Sequence, residues 1–200
     1  MSWIIVGLGN PGAEYEQTRH NAGRIVLETF RQKAAKDYDL SDWKIDKNRN
    51  AKKIAGRIGG ESVVLLEPEG MMNNSGQSVR DLAGAPKKIE RLCVIYDDLD
   101  LPLGSFKISF NRSTGGHRGL ESIVKNLKSK AFIRVRVGIS PVTPGGKLKK
   151  PKGEDKVIDF ILGNFKTAEL DELKKTAKGI ADALFCLLAS GRETAMNSYN

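Results

Sequence analysis

Histidine is almost absent from this 200-residue chain: only His20 and His117 occur, so a site built from three or four imidazoles is excluded. Cysteine is equally scarce. Cys93 and Cys186 stand far apart in the apolar contexts RLCVIY and ALFCLLA, without ligand spacing, and read as reduced core residues of a cytoplasmic protein. No apolar run approaches the roughly 20 residues that span a bilayer. The N-terminal MSWIIVGLGN has no basic region followed by a long apolar stretch, so it reads as a strand and not as a signal peptide. There is also no GxSxG elbow to present a catalytic serine.

What the chain does have is basic charge. Its 33 Lys+Arg against 24 Asp+Glu give a formal +9, which concentrates polyanions around the molecule and makes nucleic acid the first partner to consider. With 40% hydrophobic and 28% charged residues the composition is that of a folded globular protein. The length suits one domain spanning residues 1–200.

Short β-branched runs alternate with longer amphipathic ones, the pattern of an α/β domain whose mixed, largely parallel sheet is flanked by helices. Trp3 to Val6 reads as a buried strand. Val26, Leu27, Phe30 and Ala34 repeat at helical spacing within Ala22 to Lys36, with Asn21 placed to cap that helix. Lys52 to Arg57 and Ser62 to Glu67 straddle Gly59-Gly60 as a hairpin. Ser75 to Ala83 has helical spacing, and Arg91 to Tyr96 is a strand expected to stop at the acidic residues that follow. Phe132 to Ile139 alternates Ile133, Val135 and Val137 with Arg134 and Arg136, a half-buried strand with a basic side. A long amphipathic helix runs from Thr167 to a glycine cap at Gly191. The stretch 141–156, PVTPGGKLKKPKGEDK, is either a solvated loop or a mobile basic arm that touches phosphates.

Gly7, Gly9 and Gly12 spell GxGxxG after a strand. Pro11-Gly12 is a turn signal, however, and about eight residues intervene before the helix, so a dinucleotide site is not expected. Asp97, Asp98 and Asp100 either hold a hard cation or include one carboxylate that orients a histidine. The position of the polar motifs is more telling. GLGN, GMMNNSG and DDLD each follow a strand, so in a largely parallel sheet Asn10, Asn73 and Asp97 meet His20 at the carboxyl edge. A histidine, a carboxylate and carboxamides suffice for hydrolysis by water: base, orienter and oxyanion donors.

These segments carry a family resemblance. IVGLGNPGAEYEQTRHNAG, MMNNSG, YDDLDLPLG, GGHRGL, IRVRVGI and VIDFILGNF occur in an order that resembles the bacterial-type peptidyl-tRNA hydrolases, from Ile5 to about Phe165. The resemblance implies a cytoplasmic, monomeric enzyme that needs neither cofactor nor metal and splits peptidyl-tRNA into free tRNA and an N-blocked amino acid or peptide. It assigns His20 as base and Asp97 as its supporting carboxylate, with Asn10 reading the blocked amino group. Tyr15, Met71, Asn73, His117 and Arg118 fall on the substrate side, and Lys107 and Arg136 on the tRNA 5′ phosphate.

The chain departs from the family pattern at three places. Arg118 replaces an asparagine that contacts substrate, Ser109 stands at a second clamp position that is usually basic, and the Lys-rich stretch is longer. The first departure motivates an alternative function, a non-catalytic RNA-binding relative of the same fold.

Overall fold

The computed structural model describes residues 1–200. Trp3–Gly7 (β1) is buried at every position, as a strand covered on both faces requires. Its alternate side chains feed two cores. Trp3 and Ile5 point to one and Ile4 and Val6 to the other.

Strand β1 lies parallel to Glu61–Pro68 (β4) on one side and to Leu92–Pro102 (β5) on the other. Ile133–Ser140 (β7) continues the parallel set beside β5. Lys44–Asp46 (β2), Ala51–Ile58 (β3) and Phe106–Phe110 (β6) add antiparallel margins, giving the order β2-β3-β4-β1-β5-β7-β6. The β3–β4 hairpin closes with Gly59 and Gly60 at φ 54° and 85°, the two positive angles that a tight primed turn needs.

Ala22–Ala34 (α1) and Thr167–Tyr199 cover one face. Ser75–Ala83 (α2) covers the other, followed by the single turn Pro86–Ile89 (α3) and by Arg118–Leu127 (α4). Glu154–Leu162 (α5) lies across the carboxyl edge, and Thr167–Tyr199 is α6. Helix α6 breaks at Gly191, with φ 81° and ψ 176°, where the sequence predicts its end, and then turns helical again. At its far end the Asn200 carboxamide bonds the backbone N–H and C=O of Ile108 at 2.7 and 3.0 Å.

Four expectations need correction. Strand β5 does not stop at Tyr96: Asp97 and Asp98 pair with Val137 and Gly138, and a register shift follows before Pro102. Acidic residues are tolerated there because histidine and arginine side chains meet them. Strand β7 has no basic side either. Arg134 is fully buried with its guanidinium 4.2 Å over the Phe132 ring, and only Arg136 reaches the carboxyl edge. Asn21 occupies the cap position of α1 but makes no capping bond, because its carboxamide is engaged with Asn10. The basic stretch 141–156 is neither wholly loop nor free arm. Val142 bridges Leu148, Lys150 pairs with Asp100, and the last three residues already belong to α5.

Candidate active site

The site begins with a short 3-10 turn, Arg19–Asn21, leading into α1. Arg19 fixes that turn. Its guanidinium lies over Phe160 at 4.5 Å, bonds the carbonyls of Phe160 and Gly163, and pairs with Glu169 at 2.7 Å. The next residue, His20, is thereby held over the carboxyl end of β5. Gly23 brings α1 close enough to the sheet for this, since a β-carbon there would lie 2.3 Å from the Ile95 carbonyl oxygen.

His20 Nδ1 lies 2.9 and 3.1 Å from the two oxygens of Asp97, and both residues are buried. His117 Nε2 reaches the same carboxylate at 3.1 Å. The protons follow from the remaining partners. His117 Nδ1 accepts the backbone N–H groups of Gly119 and Leu120 at the start of α4, so its proton sits on Nε2 and is donated to Asp97. His20 Nδ1–H donates to Asp97 as well, leaving the second ring nitrogen, Nε2, as an unprotonated acceptor.

Burial alone favours a neutral His20 imidazole, but the charge and hydrogen bonds of Asp97 outweigh it and raise the pKa above its ordinary 6.5. Asp97 is held well below the usual carboxylate range: burial works against its charge, and the two imidazoles more than compensate. Asn10 stands beside this pair. Its backbone N–H and C=O are clamped by the Asn21 carboxamide at 2.8 and 2.9 Å, and its Oδ1 accepts the Met72 N–H at 2.8 Å. That choice of acceptor turns the Nδ2 donors of Asn10 to the cleft it lines.

His20, Asp97 and His117 place three potential ligand atoms within 4.8 Å of one another. The hydrogen bonds consume them, since both imidazoles give a proton to Asp97 and His117 uses its other nitrogen as a helix cap. A cation among them would have to displace those protons. Nor do the three acids of DDLD converge: Asp98 holds Arg136 at 2.7 Å, and Asp100 holds Lys150.

A model of the family described as peptidyl-tRNA hydrolase matches residues 4–200. The chain belongs to the peptidyl-tRNA hydrolase family. It is 40% identical over 198 residues to the peptidyl-tRNA hydrolase of Thermosynechococcus vestitus, covering 98% of this chain and 93% of that one. The Bacillus cereus protein of the same name is 36% identical, with 98% of both chains covered. The crystal structure of peptidyl-tRNA hydrolase from Acinetobacter baumannii superposes with a TM-score of 0.85 at 32% identity, covering all of this chain and 94% of that one.

In this family member the cleft around His20 has a volume of about 930 Å³. Asn10, His20, Asp97, His117, Met71 and Asn73 all line it, so the three motifs that follow strands do meet at the carboxyl edge. Arg118 and Arg136 lie on its walls too. Arg118 pairs with Glu154 at 2.7 Å and takes no part in the bonds around Asp97. Two residues singled out from the sequence fall outside the lining. Tyr15 sits on a separate 3-10 turn, and Lys107 is exposed on β6 directly opposite Arg136 of β7.

Several contributors were not foreseen. Tyr96 packs edge-on against His117 at 5.0 Å, Arg112 lines the cleft, and α5 supplies an apolar wall through Val157, Ile158, Ile161 and Leu162. The helical spacing of VIDFIL was the available signal for that wall.

One buried acid lies away from the cleft. Glu67, 8% exposed, has its pKa pushed up to about 7, by burial first, with Arg24 and Lys52 pulling the other way. A raised carboxyl pKa means that the native state keeps a proton the unfolded chain has lost. The contribution of Glu67 to stability should therefore be fully present below about pH 4.5, fall as pH rises towards about 7, and level off above. Glu67→Gln should remove that fall and gain up to about 3 kcal/mol at pH 8 relative to the parent. Urea unfolding of both proteins at pH 5 and pH 8 checks it, and an equal difference at the two pH values would reject the assignment.

Proposed function

We propose that this protein hydrolyses the ester linking peptide to tRNA, releasing free tRNA and an N-blocked amino acid or peptide, with His20 as general base. The observation that carries the reading is the buried His20–Asp97 pair, which leaves one imidazole nitrogen free in a cleft walled by Asn10.

Asp97 accepts the Nδ1–H and so fixes the tautomer in which Nε2 takes a proton from water. The water adds to the ester carbonyl. Negative charge develops on the carbonyl oxygen, where amide donors such as Asn10 Nδ2 stabilise it more than they stabilise the ester. Collapse breaks the bond to the ribose oxygen, which recovers the proton from the His20 imidazolium. Throughout, Asp97 stabilises that imidazolium without itself becoming protonated.

In this reading Asn10 also recognises the blocked amino group, and Met71, Asn73 and the apolar wall of α5 receive the peptide and the acceptor end. Tyr15 meets the tRNA outside the cleft, and Arg118 meets it at the mouth. Lys107 and Arg136, side by side on β6 and β7, hold the 5′ phosphate. The enzyme acts as a cytoplasmic monomer without metal or obligate protein partner. No helix is long and apolar enough to cross a membrane.

The test is release of free tRNA from N-acetyl-aminoacyl-tRNA, with and without EDTA, alongside unblocked aminoacyl-tRNA. Turnover of the blocked substrate that survives the chelator supports the reading. Binding without turnover, or loss of turnover with EDTA, would sink it.

A further inference from the structure

We propose that Arg112 supplies a further cation to the 5′-phosphate site, a role the sequence motifs do not give it. The inference rests on the reading of Lys107 and Arg136 as the phosphate clamp.

A terminal phosphate carries about −1.5 to −2 charges near neutral pH. Lys107 and Arg136 are register partners on adjacent strands, so their side chains leave the same face of the sheet. They do not offer two free charges. Arg136 gives its Nε–H to Asp98 Oδ2 at 2.7 Å, and that carboxylate offsets most of the guanidinium charge.

The next pair along this face does not make up the difference. Ser109 stands opposite Arg134, and both are buried. The Arg134 guanidinium is directed over Phe132 and to the Lys130 carbonyl, away from solvent. The remaining cations of the cleft have a carboxylate beside them as well, Arg118 with Glu154 and Lys150 with Asp100.

Arg112 differs from all of these. Strand β6 ends at Phe110, and Asn111, at φ 52°, turns the chain while its N–H bonds the Phe132 carbonyl. The turn delivers Arg112 to the cleft wall it shares with Arg136. Arg112 is exposed, and its guanidinium makes no hydrogen bond or ion pair within the protein. Its five donors are thus available for fork-like contact with phosphate oxygens, and its charge restores what Asp98 removes.

The experiment compares KM for two substrates that differ only at the tRNA 5′ end, one phosphorylated and one with a 5′ hydroxyl. The wild type should favour the phosphorylated form, and Arg112→Ala should cut that preference by about tenfold, the size of a hydrogen bond to a charged group. Arg112→Lys should recover part of it, because the charge survives without the fork. Lys107→Ala and Arg136→Ala run in parallel. If they lose the preference while Arg112→Ala keeps it in full, the proposal is overturned and the clamp stands. An equal rise in KM for both substrates in Arg112→Ala also overturns it, placing the residue on another phosphate. A wild type indifferent to the 5′ phosphate overturns the clamp reading itself, and the role of Arg112 with it.

Discussion

His20→Ala should lower kcat on N-acetyl-aminoacyl-tRNA by about 10² to 10⁴, the usual worth of a positioned general base. Binding of tRNA should change little, because the basic residues proposed to hold phosphate, Lys107 and Arg136, make no bond to His20. Single-turnover rates and filter binding separate the two. A loss of affinity equal to the loss of rate would mean that His20 holds substrate and does not activate water. The pH profile gives a second handle. His20 acts when deprotonated, so kcat/KM should climb with pH along a limb whose midpoint lies above 6.5, since Asp97 raises the His20 pKa. Asp97→Asn removes the carboxylate charge and leaves burial less opposed. The limb should then move to lower pH while the plateau falls, because the asparagine stabilises the imidazolium poorly.

A large effect on stability is expected at Gly23, on the helix that carries His20 into the site. A β-carbon there would stand 2.3 Å from the Ile95 oxygen and 2.6 and 2.7 Å from the oxygen and nitrogen of Leu8. All three are backbone atoms of the sheet and its edge, so no side chain can swing aside and α1 must lift away. Gly23→Ala should cost about 3 kcal/mol or more, lowering Tm by roughly 10 °C for a chain of this size. Activity should fall further than the melt alone explains, since His20 rides on the same element. Gly179→Ala is the matched control: its β-carbon would meet only a Phe106 ring carbon at 3.7 Å, within helix α6. There the better helix propensity of alanine should leave stability equal or raise it by up to about 1 kcal/mol. A melt of Gly23→Ala indistinguishable from that control would refute the close-approach argument.

Much of this arrangement is readable from periodicity and punctuation. The run WIIV, the paired glycines between two alternating strands and the helix at Ser75 all declare themselves locally, and their order places Asn10, Asn73 and Asp97 at one sheet edge. What escapes is decided by partners distant in sequence. Asp97 and Asp98 look like a strand terminus until His20, His117 and Arg136 are seen to satisfy them. Asn21 has the residue type and position of a cap, yet a partner eleven residues back takes its carboxamide. Arg134 and Arg136 share a face of β7 but not an environment, because the Lys130 carbonyl and the Phe132 ring receive the first while the second reaches the cleft. Arg19 is the plainest omission. Inside TRHNAG it reads as one more surface charge, and only the arrival of α5 and α6 shows that it anchors the turn that carries His20.

Strand β6 has a partner on one side only, and such a margin exposes backbone donors and acceptors to any passing chain. At its middle residue, Ile108, both groups are taken by the Asn200 carboxamide, which stands in for one residue of a missing neighbour. The adjacent Lys107 adds charge to the same stretch. One of the two open margins of the sheet is thus blunted at its centre by a single amide, with a lysine beside it, two devices that make a sheet edge a poorer template for another strand.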